Sequence, residues 1–443
     1  MLTFFLPLMA YVLAFPVMLV TIRRVEVGLL YFITLVPIIA VMTKITTFPG
    51  GHNIADYLLI AIVVGALAAA SRENRKALPA SPLNGAVAIL VVGSVINLVR
   101  GYTFMDFPHE IGLERLMTWK NYMILPVLYF VGFSTVRSEK NVKWVIVCVS
   151  LMLLACTFNF YSTFRWFKAA HYSNDIRISG PFSFLGPNEM GVFFAMYTFL
   201  LLGISFYVEN RKLRYLLLLV SAVNCYPILY SFSRAAYLSF LVGLLVLALV
   251  KERRFILVLI GLVAFYSVVL PTAVVERIDQ TFLQKDEVSE DYWDRRAMDI
   301  GGVTVDSTGR KQLWNKAGDY FREHPILGIG FDTFRYKEGY ITHSMYYKIL
   351  AEQGLVGVII HLIFYGVIIR QSYRLFRRSP GGIGKGVGLG FFLATFVHLA
   401  GNLTGDQSLY YNLMAVFWLF LGIVSRFSVD YLEDGVKKNR VMA

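Results

Sequence analysis

The sequence predicts an all-α polytopic membrane protein with about twelve or thirteen transmembrane helices and one long, partly helical external loop. Three observations carry that reading. The 443 residues are 57% hydrophobic and only 16% charged, where a soluble domain carries about 25% charge. The apolar residues fall in runs of the length that crosses a bilayer, about 17–25 residues. The connections between these runs are alternately rich and poor in Lys and Arg. No repeated period-two alternation of the kind a membrane barrel needs is present.

In chain order the predicted spans are 3–20, 25–43, 54–70, 83–99, 118–136, 144–161, 188–208, 215–231, 235–250, 255–271, 345–369, 387–402 and 410–427. The first carries Pro7 and Pro16, which kink a helix, and lacks the basic start and small-residue cleavage site of a secretory signal. If it lies partly in the interface, twelve crossings remain. Basic connections hold Arg23/Arg24, Arg72/Arg75/Lys76, Arg137/Lys140/Lys143, Arg211/Lys212/Arg214, Lys251/Arg253/Arg254, Arg370/Arg374/Arg377/Arg378/Lys385 and the tail Lys437/Lys438/Arg440. Gly401–Ser408, between two spans, has no Lys or Arg. The positive-inside rule makes the basic set cytoplasmic and the long loop periplasmic. Most of the formal charge of +13 is therefore topological, and no nucleic-acid partner is expected. Cys148, Cys156 and Cys225 all fall inside spans, as small packing residues.

Four regions follow: 1–170 as transmembrane scaffold, 171–271 as core helices with Arg234, 272–343 as a periplasmic loop domain, and 344–443 as C-terminal helices with a basic cytoplasmic tail. Two shorter outer connections also stand out. Arg100–Asn121 carries Asp106, His109, Glu110, Glu114, Arg115 and Lys120. Ser162–Pro187 carries Arg165, Lys168, Asp175 and Arg177 and ends in Gly- and Pro-rich turns, where Asn188 can cap the following helix.

Within the long loop, Leu313, Trp314, Ala317, Tyr320 and Phe321 are spaced as one apolar face of a helix over 310–323. Asp306, Ser307 and Thr308 offer N-caps, and His324-Pro325 stops the helix. The apolar face is expected to lie on the outer membrane surface. The loop closes at Thr342-His343-Ser344 before the next apolar run. With Thr342 as N-cap, His343 occupies a first helical turn, whose dipole disfavours the imidazolium and leaves a neutral base. Arg234 sits in Ser231-Phe232-Ser233-Arg234, a connection too short for a solvated loop, near hydrocarbon, where an arginine is costly unless paired. Its fork of donors suits a phosphate, and Arg310 adds a second cation on the same face.

Other chemistries lack their patterns. There is no G-x-x-x-x-G-K-[ST] loop and no H-E-x-x-H. Gly328-Ile329-Gly330 has no Rossmann context, and the acidic run Glu287, Glu290, Asp291, Asp294 reads as a solvated face. No cofactor or metal is expected.

The ordered set Ser231-Phe232-Ser233-Arg234-Ala235, Thr308-Gly309-Arg310…Trp314, His324-Pro325-Ile326-Leu327-Gly328-Ile329-Gly330 and His343…Leu350-Ala351-Glu352-Gln353-Gly354-Leu355-Val356-Gly357 resembles the O-antigen ligase and O-antigen polymerase family over about residues 180–365. The resemblance implies a metal-independent GT-C-type glycosyltransferase that moves a glycan from undecaprenyl diphosphate to an acceptor on the periplasmic side of the bacterial inner membrane. It implies that His343 is the catalytic histidine and that Arg234 and Arg310 engage the diphosphate, with Arg177, Asn188 and Glu352 as supporting candidates. Gly180 and Asn188 look like the family's Gly…Pro-Asn lead-in to a core helix. Ser344 stands where family members often carry Asn.

The residues suit such a reaction. A lipid diphosphate leaving group needs charge stabilisation, which guanidinium groups supply. An acceptor hydroxyl needs a base, and a single displacement would invert the anomeric centre. Implied partners are the lipid-linked glycan donor, an acceptor (lipid A–core for a ligase, growing polysaccharide for a polymerase) and membrane lipids. Transfer to protein is a third form. A polysaccharide transporter or an assembly scaffold are readings of other classes; a transporter would place its contacts at mid-membrane within an inverted repeat, and no repeat is visible.

Overall fold

A computed structural model describes residues 2–42, 54–104, 109–164, 170–180, 185–282, 297–300, 303–306 and 309–441. The helices are α1 (Leu2–Thr21), α2 (Val25–Leu35), α3 (Ile39–Met42), α4 (Ile54–Arg72), α5 (Pro82–Phe104), α6 (His109–Thr135), α7 (Glu139–Thr163), α8 (Pro187–Ser205), α9 (Arg211–Val223), α10 (Cys225–Tyr230), α11 (Arg234–Val250), α12 (Arg254–Ala264), α13 (Tyr266–Val269) and α14 (Thr272–Asp279). A two-stranded antiparallel hairpin follows, β1 (Ala297–Ile300) and β2 (Val303–Asp306), pairing Ala297 with Asp306 and Ile300 with Val303. Then come α15 (Arg310–Glu323), α16 (Thr333–Glu338), α17 (Met345–Arg378), α18 (Gly382–Gly401) and α19 (Tyr411–Val441).

The protein is an all-α polytopic membrane protein, with that hairpin as its one strand pair among the described residues. Among the described residues each predicted span falls largely on helix. Eight helical stretches among the described residues are long and apolar enough to cross a membrane. Four more apolar helices are shorter: Leu8–Thr21, Val25–Ile38, Arg234–Val250 and Arg254–Ala264. The predicted span at 118–136 falls on α6, which is in neither group, and two of the shorter helices end at local breaks. Pro37 tightens the end of α2 into a 3₁₀ turn, and Phe265 interrupts the run from α12 to α13.

The innermost helices are α8, α18 and α19. Water does not drive helices together in lipid, so close backbone approach must. Glycines provide it. Gly386 and Gly390 of α18 sit against the Ile204 and Leu200 backbone of α8, and Gly203 meets Gly390 in return. Gly132 of α6 and Gly422 of α19 make a second such crossing. A methyl group at any of these positions would run into backbone.

The predicted single span at 345–369 is broken. Gly354 has φ 60 and ψ −156, dividing α17 into a short arm and a long one. The break frees backbone groups that must find partners inside the protein. The segment after α15 supplies them. Ile329 and Gly330 N–H donate to the Ala351 and Glu352 carbonyls at 2.9 and 2.8 Å, and Leu355 and Val356 N–H donate to the Pro325 and Ile326 carbonyls at 2.7 and 3.1 Å. Gly330, at φ 95, lies so close to Gly101 that no side chain fits. This is the structural meaning of the Pro325–Gly330 and Gly354 motifs: the loop is stitched into the broken helix.

Helix α15 has the bounds read from the sequence, and His324 is its C-cap. Its cap differs: Gly309, left-handed at φ 80, is the N-cap, while Asp306 belongs to β2 and Ser307 and Thr308 lie outside the described residues. Its apolar face does not rest on an open surface either. Ala317 packs with Ile329, Phe334 and Ala351, so the face is taken up by α16, α17 and the stitched segment. Glu287, Glu290, Asp291 and Asp294, together with Asp106, Arg165 and Lys168, lie outside the described residues.

Candidate active site

His343 stands just before α17, but not in its first turn. Ser344 is the N-cap, extended at φ −156, and Thr342 is not. His343 itself is left-handed at φ 51, a conformation that strains a residue with a Cβ and persists only where the surroundings impose it. They do so from both sides. Trp314 of α15 stacks on Tyr347 at 5.0 Å and donates its indole N–H to the Thr342 carbonyl at 3.0 Å. Met345 N–H lies 3.1 Å from the Asn402 carbonyl and 3.2 Å from that of Gly405. The Thr342 hydroxyl reaches the Ser344 carbonyl at 2.9 Å and Asp406 Oδ1 at 3.3 Å.

The imidazole is half-buried, and burial lowers its pKa below the ordinary histidine value, with the Arg310 charge adding to the effect. The neutral form expected from sequence is therefore favoured, but chiefly by desolvation rather than by a helix dipole. Arg310 is half-buried at the start of α15. Burial lowers its pKa, Glu189 and Asp406 oppose that, and Arg177 and Arg277 reinforce it.

Those neighbours define the site. Arg177 donates through Nη2 to Asn188 Oδ1 at 2.7 Å and through Nε to the Ser231 carbonyl at 3.4 Å. Asn188 thus positions an arginine instead of capping α8, whose N-cap is Gly186 with Pro187 in the first turn. Arg277 of α14 donates through Nε to the Phe232 carbonyl at 3.2 Å and lies over the Tyr172 ring at 4.9 Å. Both guanidinium groups therefore hang from one turn, Ser231-Phe232-Ser233-Arg234. Phe232 there is left-handed at φ 49, and Ser233 caps α11 by accepting from Ala236 N–H. Arg234 opens α11 on the same turn, half-buried.

The structure thus joins His343, Arg310 and Arg177 electrostatically, with Asn188 and Arg234 at the edge of the cluster. It sets Glu352 apart. That carboxylate is fully buried, accepts the Asp332 and Phe334 N–H at 3.0 and 3.3 Å, and pairs with Lys348 Nζ at 3.0 Å. Lys348 also reaches Asp332 at 3.3 Å. Glu352 fastens the stitched loop to α17; it does not face the arginines.

Sequence reasoning missed Arg277, Glu189 and Asp406. Arg277 had a readable signal: it follows a predicted span on the side that the alternation of basic connections makes the outer one, where basic residues are disfavoured. Glu189 is the acid in the first turn of a buried helix, and Asp406 lies in the one short connection without Lys or Arg. Nothing in the sequence ties the three together.

Residues 216–362 match the O-antigen ligase family. No curated protein matches the chain. The matched segment runs from α9 into the long arm of α17 and holds Arg234, Arg277, Arg310 and His343, so over this part the chain is similar to the O-antigen ligase family.

Proposed function

We propose that the protein is a glycosyltransferase that moves a glycan from a lipid-linked diphosphate, undecaprenyl diphosphate in bacteria, to an acceptor hydroxyl at the periplasmic face, as an O-antigen ligase does. One observation carries the reading: a strained histidine, its imidazolium disfavoured by burial, lies in the field of a half-buried arginine that itself lies among further arginines. A base and an anion site side by side are what the reaction needs.

The acceptor O–H loses its proton to the His343 imidazole as its oxygen attacks C1 of the donor sugar. The C1–O bond to phosphate breaks, and the electron pair leaves with the diphosphate. Arg310, Arg177, Arg277 and Arg234 offset that charge, which is worth more in a site withdrawn from water. A single displacement inverts C1. No step requires a metal ion to accept the charge that the guanidinium groups accept.

Ligation and polymerisation differ in the acceptor. The test is transfer by purified protein from an undecaprenyl diphosphate glycan, with lipid A–core and with a second lipid-linked repeat unit as separate acceptors. Transfer to lipid A–core is expected. Extension of the lipid-linked repeat alone would make the protein a polymerase. His343→Ala should lower turnover by about 10²–10⁴-fold, the range for a lost general base. Wild-type turnover in that variant would remove the base assignment.

A further inference from the structure

Three membrane-spanning stretches have an end at one place. Pro82 opens that of α5, Arg378 closes that of α17 and Tyr431 closes that of α19, and all three residues line a pocket of about 320 Å³. That volume lies within the range of small-ligand sites, about 300–1,000 Å³. At 1.5 Å per residue, Arg370 in its lining stands about 24 Å along α17 from the Gly354 break. The pocket therefore belongs to the end of the bundle away from His343.

Arg370, Arg374 and Arg378 line it, one helical turn apart on a single ridge of α17. Arg426 of α19 is paired with Asp430, but none of these three is in an ion pair among the described residues, and no described Asp or Glu lines the pocket. Topology asks for basic residues at one end of a span without ordering them on one face. The C-terminal dipole of α17 favours cations only in its last turn, at Arg377 and Arg378. Neither effect aligns Arg370 and Arg374 over a pocket, and Arg377, which both effects favour, does not line it.

Two buried side chains make the pocket more than a basic patch. The Gln371 amide oxygen and the Ser428 hydroxyl have no hydrogen-bond partner among the described residues, although both residues are more than nine-tenths buried and both line the pocket. The other end of the amide is engaged. Gln371 Nε2 donates to Ser81 Oγ at 3.4 Å, and Ser81 Oγ lies 2.6 Å from Ser425 Oγ. An amide held at its nitrogen leaves its oxygen for a ligand. Buried polar groups without partners are costly, and a bound polar molecule relieves that cost.

We propose that this pocket binds an anionic phospholipid whose head carries two phosphate groups bridged by glycerol. A ladder of three guanidinium groups over about 12 Å of helix extends past one phosphate and suits two. Ser428 donates to a phosphate oxygen, and the hydroxyl of the bridging glycerol donates to Gln371 Oε1. Val367, Leu375 and Val429 offer apolar walls to the first carbons of the acyl chains. Because three spans end here, the site lies at the depth where a bilayer keeps its headgroups. The proposal is independent of the reaction at His343.

The test uses the full-length protein, stripped of lipid in detergent. Cardiolipin is the probe, and phosphatidylglycerol, phosphatidylethanolamine and inorganic phosphate are the comparisons. Native mass spectrometry reads retention, and thermal unfolding reads stabilisation. Cardiolipin should bind more tightly than phosphatidylglycerol and raise the unfolding midpoint, and phosphatidylethanolamine and inorganic phosphate should not. Arg370→Gln and Arg374→Gln should each weaken cardiolipin binding about fivefold, the effect of one basic residue at an anionic membrane surface. Arg377→Gln removes a charge from the same end of the same helix outside the lining, and should bind cardiolipin as the wild type does. Ser428→Ala removes no hydrogen bond within the described residues. Its lipid-free midpoint should therefore stay, while the rise on adding cardiolipin shrinks. Equal weakening in Arg377→Gln would reduce the attraction to diffuse surface charge. Equal binding of phosphatidylglycerol would remove the two-phosphate head, and displacement of cardiolipin by an equal concentration of inorganic phosphate would remove the lipid. An unchanged cardiolipin response in Ser428→Ala would take the head out of the pocket. Any of these results overturns the proposal, whatever the transferase activity of the protein.

Discussion

Glu352→Ala separates a fastening role from a chemical one. The carboxylate is fully buried and holds three donors: the Asp332 and Phe334 N–H groups and Lys348. Alanine would leave two backbone donors without acceptors and Lys348 with Asp332 alone. Breaking a buried ion pair by removing one partner costs about 3–5 kcal/mol. Orphaned N–H groups cost about 1–3 kcal/mol each, and because the same carboxylate serves all three donors these costs overlap rather than add. The expected loss is therefore about 3–5 kcal/mol. Glu352→Gln should lose less, since its amide oxygen still accepts one N–H. Thermal unfolding in detergent measures the effect, with turnover recorded below the transition. Because the stitched loop carries α15, and Trp314 of α15 holds Thr342 next to His343, turnover should fall together with stability in both variants, more in Ala than in Gln. Wild-type unfolding of Glu352→Ala would refute the fastening role. Normal stability with abolished turnover would move Glu352 into the chemistry.

Three further outcomes are expected. The rate should fall on the acid side as His343 protonates, at a pH below the ordinary histidine range because burial and Arg310 lower its pKa; Arg310→Gln removes a like charge, so the acid limb of kcat/KM should move to higher pH, and an unmoved limb would deny the coupling. Gly354→Ala should destabilise the protein by more than the roughly 1–3 kcal/mol of a strained backbone position, because the added methyl also meets the Pro325 and Ile326 carbonyls; a midpoint unchanged in thermal unfolding would deny the stitch. With Cys148 and Cys225 replaced, Tyr340→Cys on the exposed loop should label with a membrane-impermeant thiol reagent from the periplasmic side, and Arg378→Cys should not; the reverse pattern would turn the proposed site to the cytoplasm.

The sequence alone determined what depends on neighbours in the chain. Hydropathy located the apolar helices because the bilayer reads each segment separately. The apolar period and Pro325 bounded α15 at Arg310 and Glu323. The tertiary structure decided what depends on distant partners. A glycine inside an apolar run does not say whether the helix continues, and Gly354 breaks α17 because a segment some twenty-five residues earlier satisfies the freed backbone groups. Glu352 turned from a site candidate into a fastening residue for the same reason: its donors come from a loop that only folding brings to it. The left-handed backbone of His343 is imposed by Trp314 on one side and by the Asn402–Gly405 carbonyls on the other. Arg177 and Arg277, a hundred residues apart, share a site because successive carbonyls of one turn hold them. Local pattern fixes which segments enter the membrane and which form helices; where charges meet is set by hydrogen bonds across the fold, which no local pattern encodes.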